Sequence, residues 1–249
     1  MAWNVAIAVI VIVGIVAVML TRSGGASDGG EGGPRAVNQT AGVAGDHWHT
    51  YLGVNICGEW LGGAPEFEKP YRSPNQASNA GVHSHGDGLV HTHPFVPSEQ
   101  GTNATLGKFL SYGGWTINDS TIDLGGSNAA HTQWQGPLSK PKQTVWKNGD
   151  TCTFGEYKGQ KGEIVWAVDG KKMTGNPSDY HQQDGETIAV GFLPKGTELG
   201  FPPDACTAFA QITDANAAPV SKKSPCLAAA STTTTVPSSD ATTTTAPAP

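Results

Sequence analysis

Six of the eight histidines in this chain fall in three His-x-His pairs, His47/His49, His83/His85 and His91/His93. Side chains i and i+2 of a β-strand share a face, so each pair presents two imidazoles on one side of its strand. Neutral imidazole is the commonest protein metal ligand, and an all-imidazole set suits zinc, copper or nickel rather than calcium or magnesium. The chemistry on offer is metal binding. A pH-responsive histidine cluster and a polar network without an ion are the alternatives.

The second and third pairs flank Gly86-Asp87-Gly88, and residues 81–94 read as a hairpin because two short apolar-alternating arms meet at that turn. With a three-residue loop, His85 pairs with Leu89 and His83 faces His91, so four histidines share one face. A two-residue loop would send the two pairs to opposite faces. The three-residue loop is the expectation. Directly opposed residues have Cβ atoms roughly 4.5–5.5 Å apart, a separation at which two imidazoles can share one ion. Six imidazoles exceed the four ligands of a structural zinc site, so either two ions bind or some histidines only guide and orient. Asp46 and Asp87 sit where a carboxylate can accept the second ring N–H, although Asp87 reads equally well as a plain turn residue.

The elements that must position these rings are mostly β. From Asp46 to Cys57 the even positions Trp48, Leu52, Val54 and Ile56 form an apolar stripe, and the odd positions His47, His49, Tyr51 and Asn55 face away from it. A short helix is expected from Asn103 to Tyr112, where Leu106, Phe109 and Leu110 fall at helical spacing and Gly113-Gly114 ends it. A strand is expected over Trp115–Leu124. Glu163–Val168 runs into Asp169-Gly170, a strong hairpin signal, and Asp184-Gly185 opens a last strand, Thr187–Leu193. The expected fold is mainly β, of the α+β class: one β-rich domain over residues 46–204 containing a short helix.

Residues 2–20 carry no charge and, as a helix, would span about 28 Å, close to the roughly 30 Å hydrocarbon core. Residues 1–22 therefore read as a single-pass signal anchor in the cell membrane. Arg22 on the C-terminal flank argues by the positive-inside tendency for a cytoplasmic domain. Four cysteines, the Thr/Pro-rich tail and a histidine site argue for an extracytoplasmic one, which is the expectation. Residues 23–45 are rich in glycine and read as a tether reaching roughly 26 Å. Residues 228–249, with two Thr-Thr-Thr-Thr runs, read as a disordered tail. A net charge of −6 with no basic run excludes nucleic acid as a partner. Cys57, Cys152, Cys206 and Cys226 allow three pairings, of which Cys57–Cys152 and Cys206–Cys226 are favoured. The second of these falls in an extension over residues 205–227. The alternative that Cys57 ligates metal requires the strand to bend at Gly53, because eight residues from His49 span roughly 26 Å.

Residues 162–193, with their strand, Asp-Gly turn, Tyr180, second Asp-Gly and final strand, resemble the end of a β-grasp module. Asp46-His-Trp-His49, the hairpin motif from His83 to Pro94 and Asn103-Ala-Thr-Leu-Gly107 together resemble a family of single-pass actinobacterial extracytoplasmic proteins, over residues 46 to about 203. That resemblance implies an anchored domain with a shared histidine site. His91-Thr-His-Pro94 is similar to the zinc motif of JAMM metalloproteases, but Gly101 and Ala104 stand where that motif needs Ser and Asp. Cupin and copper/zinc superoxide dismutase strands resemble Gly81–His85, yet the cupin Glu and the later dismutase histidines have no counterparts. The leading function is zinc or copper binding as a site, storage or delivery module, rather than an enzyme, with a cell-envelope protein as partner. One alternative is a hydrolase with three histidines on zinc, an open position for water and Glu59 as general base. The other is a cell-envelope binding module without metal.

Overall fold

In the computed structural model, residues 33–36, 45–70, 79–125, 134, 143–212 and 224–227 are described. The expected membrane helix 2–20, most of the tether and the tail 228–249 lie outside them. Among the described residues no helix is long and apolar enough to cross a membrane.

The alternation that starts at Asp46 becomes β1 (Trp48–Ile56), followed by β2 (Glu59–Trp60), β3 (Val82–His83) and β4 (Leu89–Thr92). Helix α1 (Leu106–Gly113) precedes a small sheet of β5 (Thr116–Ile117), β6 (Thr121–Asp123) and β7 (Val145–Lys147). Then come β8 (Gly162–Val168), β9 (Lys171–Lys172), β10 (Thr187–Pro194) and helix α2 (Ala205–Ala210). The main sheet runs β3-β4-β1-β10-β8-β9, with β2 added to β1. β1 and β10 lie parallel at its centre, and every other pairing in it is antiparallel. The protein is mainly β, as the sequence implies.

The odd positions of β1 do not face away from a core, as alternation alone implied. Beyond Trp48 every residue of β1 is buried. The even side chains Leu52, Val54 and Ile56 join Leu106, Phe109, Leu110 and Trp146 in the main core. On the odd side, Tyr51 and Leu89 pack against Ala205, Ala208, Phe209 and Cys226. Ala205, Ala208 and Phe209 stand at i, i+3 and i+4, so α2 has one apolar stripe and lays it on the histidine side of the sheet. Residues 205–212 and 224–227 are thus part of the folded unit. At the other boundary, Gly33–Ala36 are docked rather than tethering: Gly101 N donates to the Pro34 carbonyl (2.8 Å) and Asp46 N to the Arg35 carbonyl (3.0 Å).

Local polar chemistry shifts two expected elements. Thr105 caps α1, its hydroxyl oxygen accepting from Lys108 N at 3.2 Å, so residues 101–103 form a separate 3₁₀ turn instead of the helix start. The expected strand over 115–124 is a hairpin, because the Asn118 side-chain oxygen takes Ser120 N at 2.9 Å and Thr121 N at 2.8 Å and turns the chain. The Asp169-Gly170 turn forms as read, with both φ values positive at 48° and 77°.

Cys57 pairs with Cys152 and Cys206 with Cys226, their Cα atoms 5.7 and 5.0 Å apart. The first pairing removes Cys57 as a metal ligand. The second spans 20 residues and ties the segment after α2 back to it. On the chain-entropy model, replacing Cys206 and Cys226 by serine should cost about 3 kcal/mol, measurable as a lower urea midpoint. An unchanged midpoint would mean that the reduced chain already holds α2 in place.

Candidate metal centre

The register of three adjacent strands builds the site. His83 pairs with His91 across β3 and β4, and His91 pairs with His49 across β4 and β1, giving one transverse row of three histidines. His85, His93 and His47 lie two residues along the chain from these, just beyond the ends of β3, β4 and β1, and their rings pack beside the row. This is the register of the three-residue loop. Gly86 and Gly88 take φ of 80° and 84°, a region open to glycine at little cost, and the Asp87 Oδ1 atom accepts from Leu89 N at 3.0 Å to close the turn.

All six predicted histidines come together. Ring centroids stand 3.7 Å apart for His47/His93, 4.3 Å for His85/His91, 4.6 Å for His49/His91 and 4.9 Å for His83/His93. Two sets of donor atoms converge: His47 with His91 and His93, and His85 with Asp87 and His91, each set within 4.8 Å. Ligands about 2.0–2.1 Å from a tetrahedral zinc lie roughly 3.4 Å from one another, so small ring rotations close either set on an ion. The arrangement can hold a metal ion.

Hydrogen bonds fix which nitrogens are free to ligate. The Ala80 carbonyl, 2.8 Å from His83 Nδ1, can only accept, so Nδ1 carries the proton and Nε2 keeps its lone pair, 3.0 Å from His85 Nε2. Burial, reinforced by the neighbouring rings of His85, His91 and His47, pushes His83 down to about 4 against the Ala80 hydrogen bond. Burial and the rings of His47, His83, His91 and His49 push His93 to about 3. Both are neutral at pH 7. The Asp87 carboxyl lies below its ordinary value: burial alone would raise it, and hydrogen bonds from His91 and Leu89 outweigh that. It is therefore ionised, and His91 Nε2 donates to Asp87 Oδ2 at 2.8 Å. His91 Nδ1 is buried and without a hydrogen bond, as is His93 Nε2. A buried polar atom left unpaired costs roughly 1–3 kcal/mol, a cost that ligation would remove.

Asp87 thus both closes the turn and accepts from His91 Nε2. The Asp46 carboxylate instead holds Arg35, accepting from its Nη2 at 2.7 Å and from its backbone N at 2.8 Å, and those bonds keep it below the usual carboxylate range. Glu59 fails as the nominated base. It pairs with Ile56, seven residues along β1 from His49, or about 23 Å.

The sequence reading missed Asp184, which accepts from His49 N at 2.8 Å, while Gly185 N donates to the His49 carbonyl at 2.8 Å. Together they clamp the strand that carries His47 and His49. Burial pushes Asp184 up to about 6 despite backbone hydrogen bonds to its carboxyl from His49 and Gly185. It missed α2 as well. A cavity of about 360 Å³ lies between His49, Asp87, Leu89 and His91 on the sheet and Ala208, Gln211 and Ile212 from α2 and the residues after it. The i, i+3, i+4 spacing of Ala205, Ala208 and Phe209 was the signal available. Compared with known proteins, the chain matches no family model, no curated protein and no solved structure.

Proposed function

We propose that the chain is a membrane-anchored, extracytoplasmic protein whose β-rich domain binds zinc or copper(II), serving as a site, store or delivery module for the ion. The observation that carries this reading is the pair of buried nitrogens without a hydrogen bond, His91 Nδ1 and His93 Nε2, in a residue set that converges with His47. Asp87 on His91 Nε2 supplies the carboxylate that holds a ligating imidazole in the right tautomer and raises its basicity. The two disulfides support an oxidising compartment, and the uncharged run 2–20 supports the anchor. A central parallel pair, β1 beside β10, with antiparallel strands on both flanks supports a β-grasp reading of the sheet. The partner in this reading is a cell-envelope protein that gives or takes the ion. The hydrolase alternative loses its base with Glu59.

Metal analysis tests the proposal. Protein purified without chelator is expected to carry, or to take up on titration, one to two zinc or copper ions per chain. Metal-free protein with no affinity tighter than about 10 μM for either ion, or about −7 kcal/mol, would end it.

A further inference from the structure

We infer that the centre is dinuclear, with the imidazole ring of His91 bridging an inner ion held by His47, His91 and His93 and an outer ion held by His85, Asp87 and His91. This deepens the metal-binding reading and rests on it. The two donor sets have His91 in common and no other residue. Its two nitrogens stand in different surroundings. Nε2 is hydrogen-bonded to Asp87 Oδ2 at 2.8 Å, inside the outer set, and Nδ1 is the buried atom without a hydrogen bond, available to the inner one. One ring therefore offers a nitrogen to each ion. Five further histidines stand around it, His83 and His49 beside it in the strand register and His85, His47 and His93 in the two sets.

The outer ion takes the place of the proton that His91 Nε2 shares with Asp87. That proton leaves to water, Asp87 stays a carboxylate, and the bridge becomes an imidazolate whose negative charge stands between two dications. His85 Nε2 lies 4.0 Å from Glu68 Oε1, a second carboxylate that favours positive charge on this side. The two ions differ in access. His91 is buried and His47 and His93 partly so, whereas His85 and Asp87 are exposed. Asp87 and His91 also border the cavity beneath α2, which leaves room for an exchangeable ligand on the outer ion. The inner ion is accordingly the retained one and the outer ion the one that exchanges, as delivery requires.

Copper(II) titration of the full chain in detergent, followed by electron paramagnetic resonance, tests the bridge. The first equivalent is expected to give the signal of an isolated cupric ion. The second should lower the spin count well below one per chain, because two cupric ions joined through one imidazolate couple antiferromagnetically. His85→Ala, at an exposed position, should keep the first equivalent with its full signal and lose the second. Saturation at one equivalent in the unaltered protein overturns the dinuclear inference and leaves the metal-binding reading standing. So does a signal that rises to two uncoupled spins. Absence of any copper binding overturns both. The spin count of the unaltered protein decides the matter without relying on a variant that folds.

Discussion

Replacing His91 by alanine is expected to weaken zinc or copper(II) binding by about 100-fold or more, the largest loss for any single histidine. The reason is position. His91 is the middle member of the transverse row, opposed to His83 on one side and to His49 on the other, and it belongs to both donor sets. For the first, inner ion Asp87→Asn should cost less, roughly 10–100-fold, because the amide can still accept from Nε2 but no longer supplies the negative charge that makes the ring a better ligand. His83→Ala should lose less than His91→Ala, since His83 belongs to neither converging set and reaches the site through His85. His181→Ala is the control: that residue is exposed and bridges Thr105 by its backbone. Calorimetric titration of each purified variant measures these ratios. Equal losses at His91 and His181 would reduce the effect to nonspecific imidazole binding.

The sequence made the histidine row legible for a specific reason. A Gly-Asp-Gly turn restricts loop length, loop length sets parity, and parity decides whether His83 meets His91 or turns its back. The favoured disulfides could be read for a similar reason, since closing a 20-residue loop needs only that its ends approach. Asp46 was misread because its partner, Arg35, sits in a glycine-rich stretch with no pattern of its own. The contact is made by two backbone hydrogen bonds and a side-chain fork rather than by periodicity. Burial of the odd face of β1 was hidden because His47 and His49 look polar. Nothing local to Asp46–Cys57 announces that a helix about 150 residues later will cover them. Asp184 was hidden in the same way, since an Asp-Gly pair reads as a turn whether or not the aspartate also clamps a distant strand.

Acidification is expected to unfold the domain more steeply than its carboxylates alone would, and the buried imidazoles are the cause. His83 and His93 have pKa values near 4 and 3, below the ordinary 6.5 of an unfolded histidine. Between those values and 6.5 the unfolded chain binds protons that the folded one refuses. Their contribution is therefore fully present above pH 6.5 and is lost as pH falls toward 4 and then 3. For His83 the loss is on the order of 3 kcal/mol across that window. His93 is more open to water, and its share is smaller by screening. Asp184 works in the opposite sense. Its folded value near 6 lies above the ordinary 3.8, so between those two the folded state holds the extra proton and gains stability as pH falls. One half-open carboxyl offsets only part of what two histidines lose, and net stability should drop by about 2 kcal/mol or more from pH 7 to pH 4. Bound metal should steepen the drop. At 100 times Kd an ion adds about 2.7 kcal/mol at neutral pH, and protons displace it as the imidazoles charge. Urea unfolding at pH 7, 5.5 and 4, with chelator and with excess zinc, measures both slopes. A free energy of unfolding that stays flat with chelator over this range would mean that the His83 and His93 rings already take protons in the folded state. Neither ring would then be held neutral for a metal ion by burial.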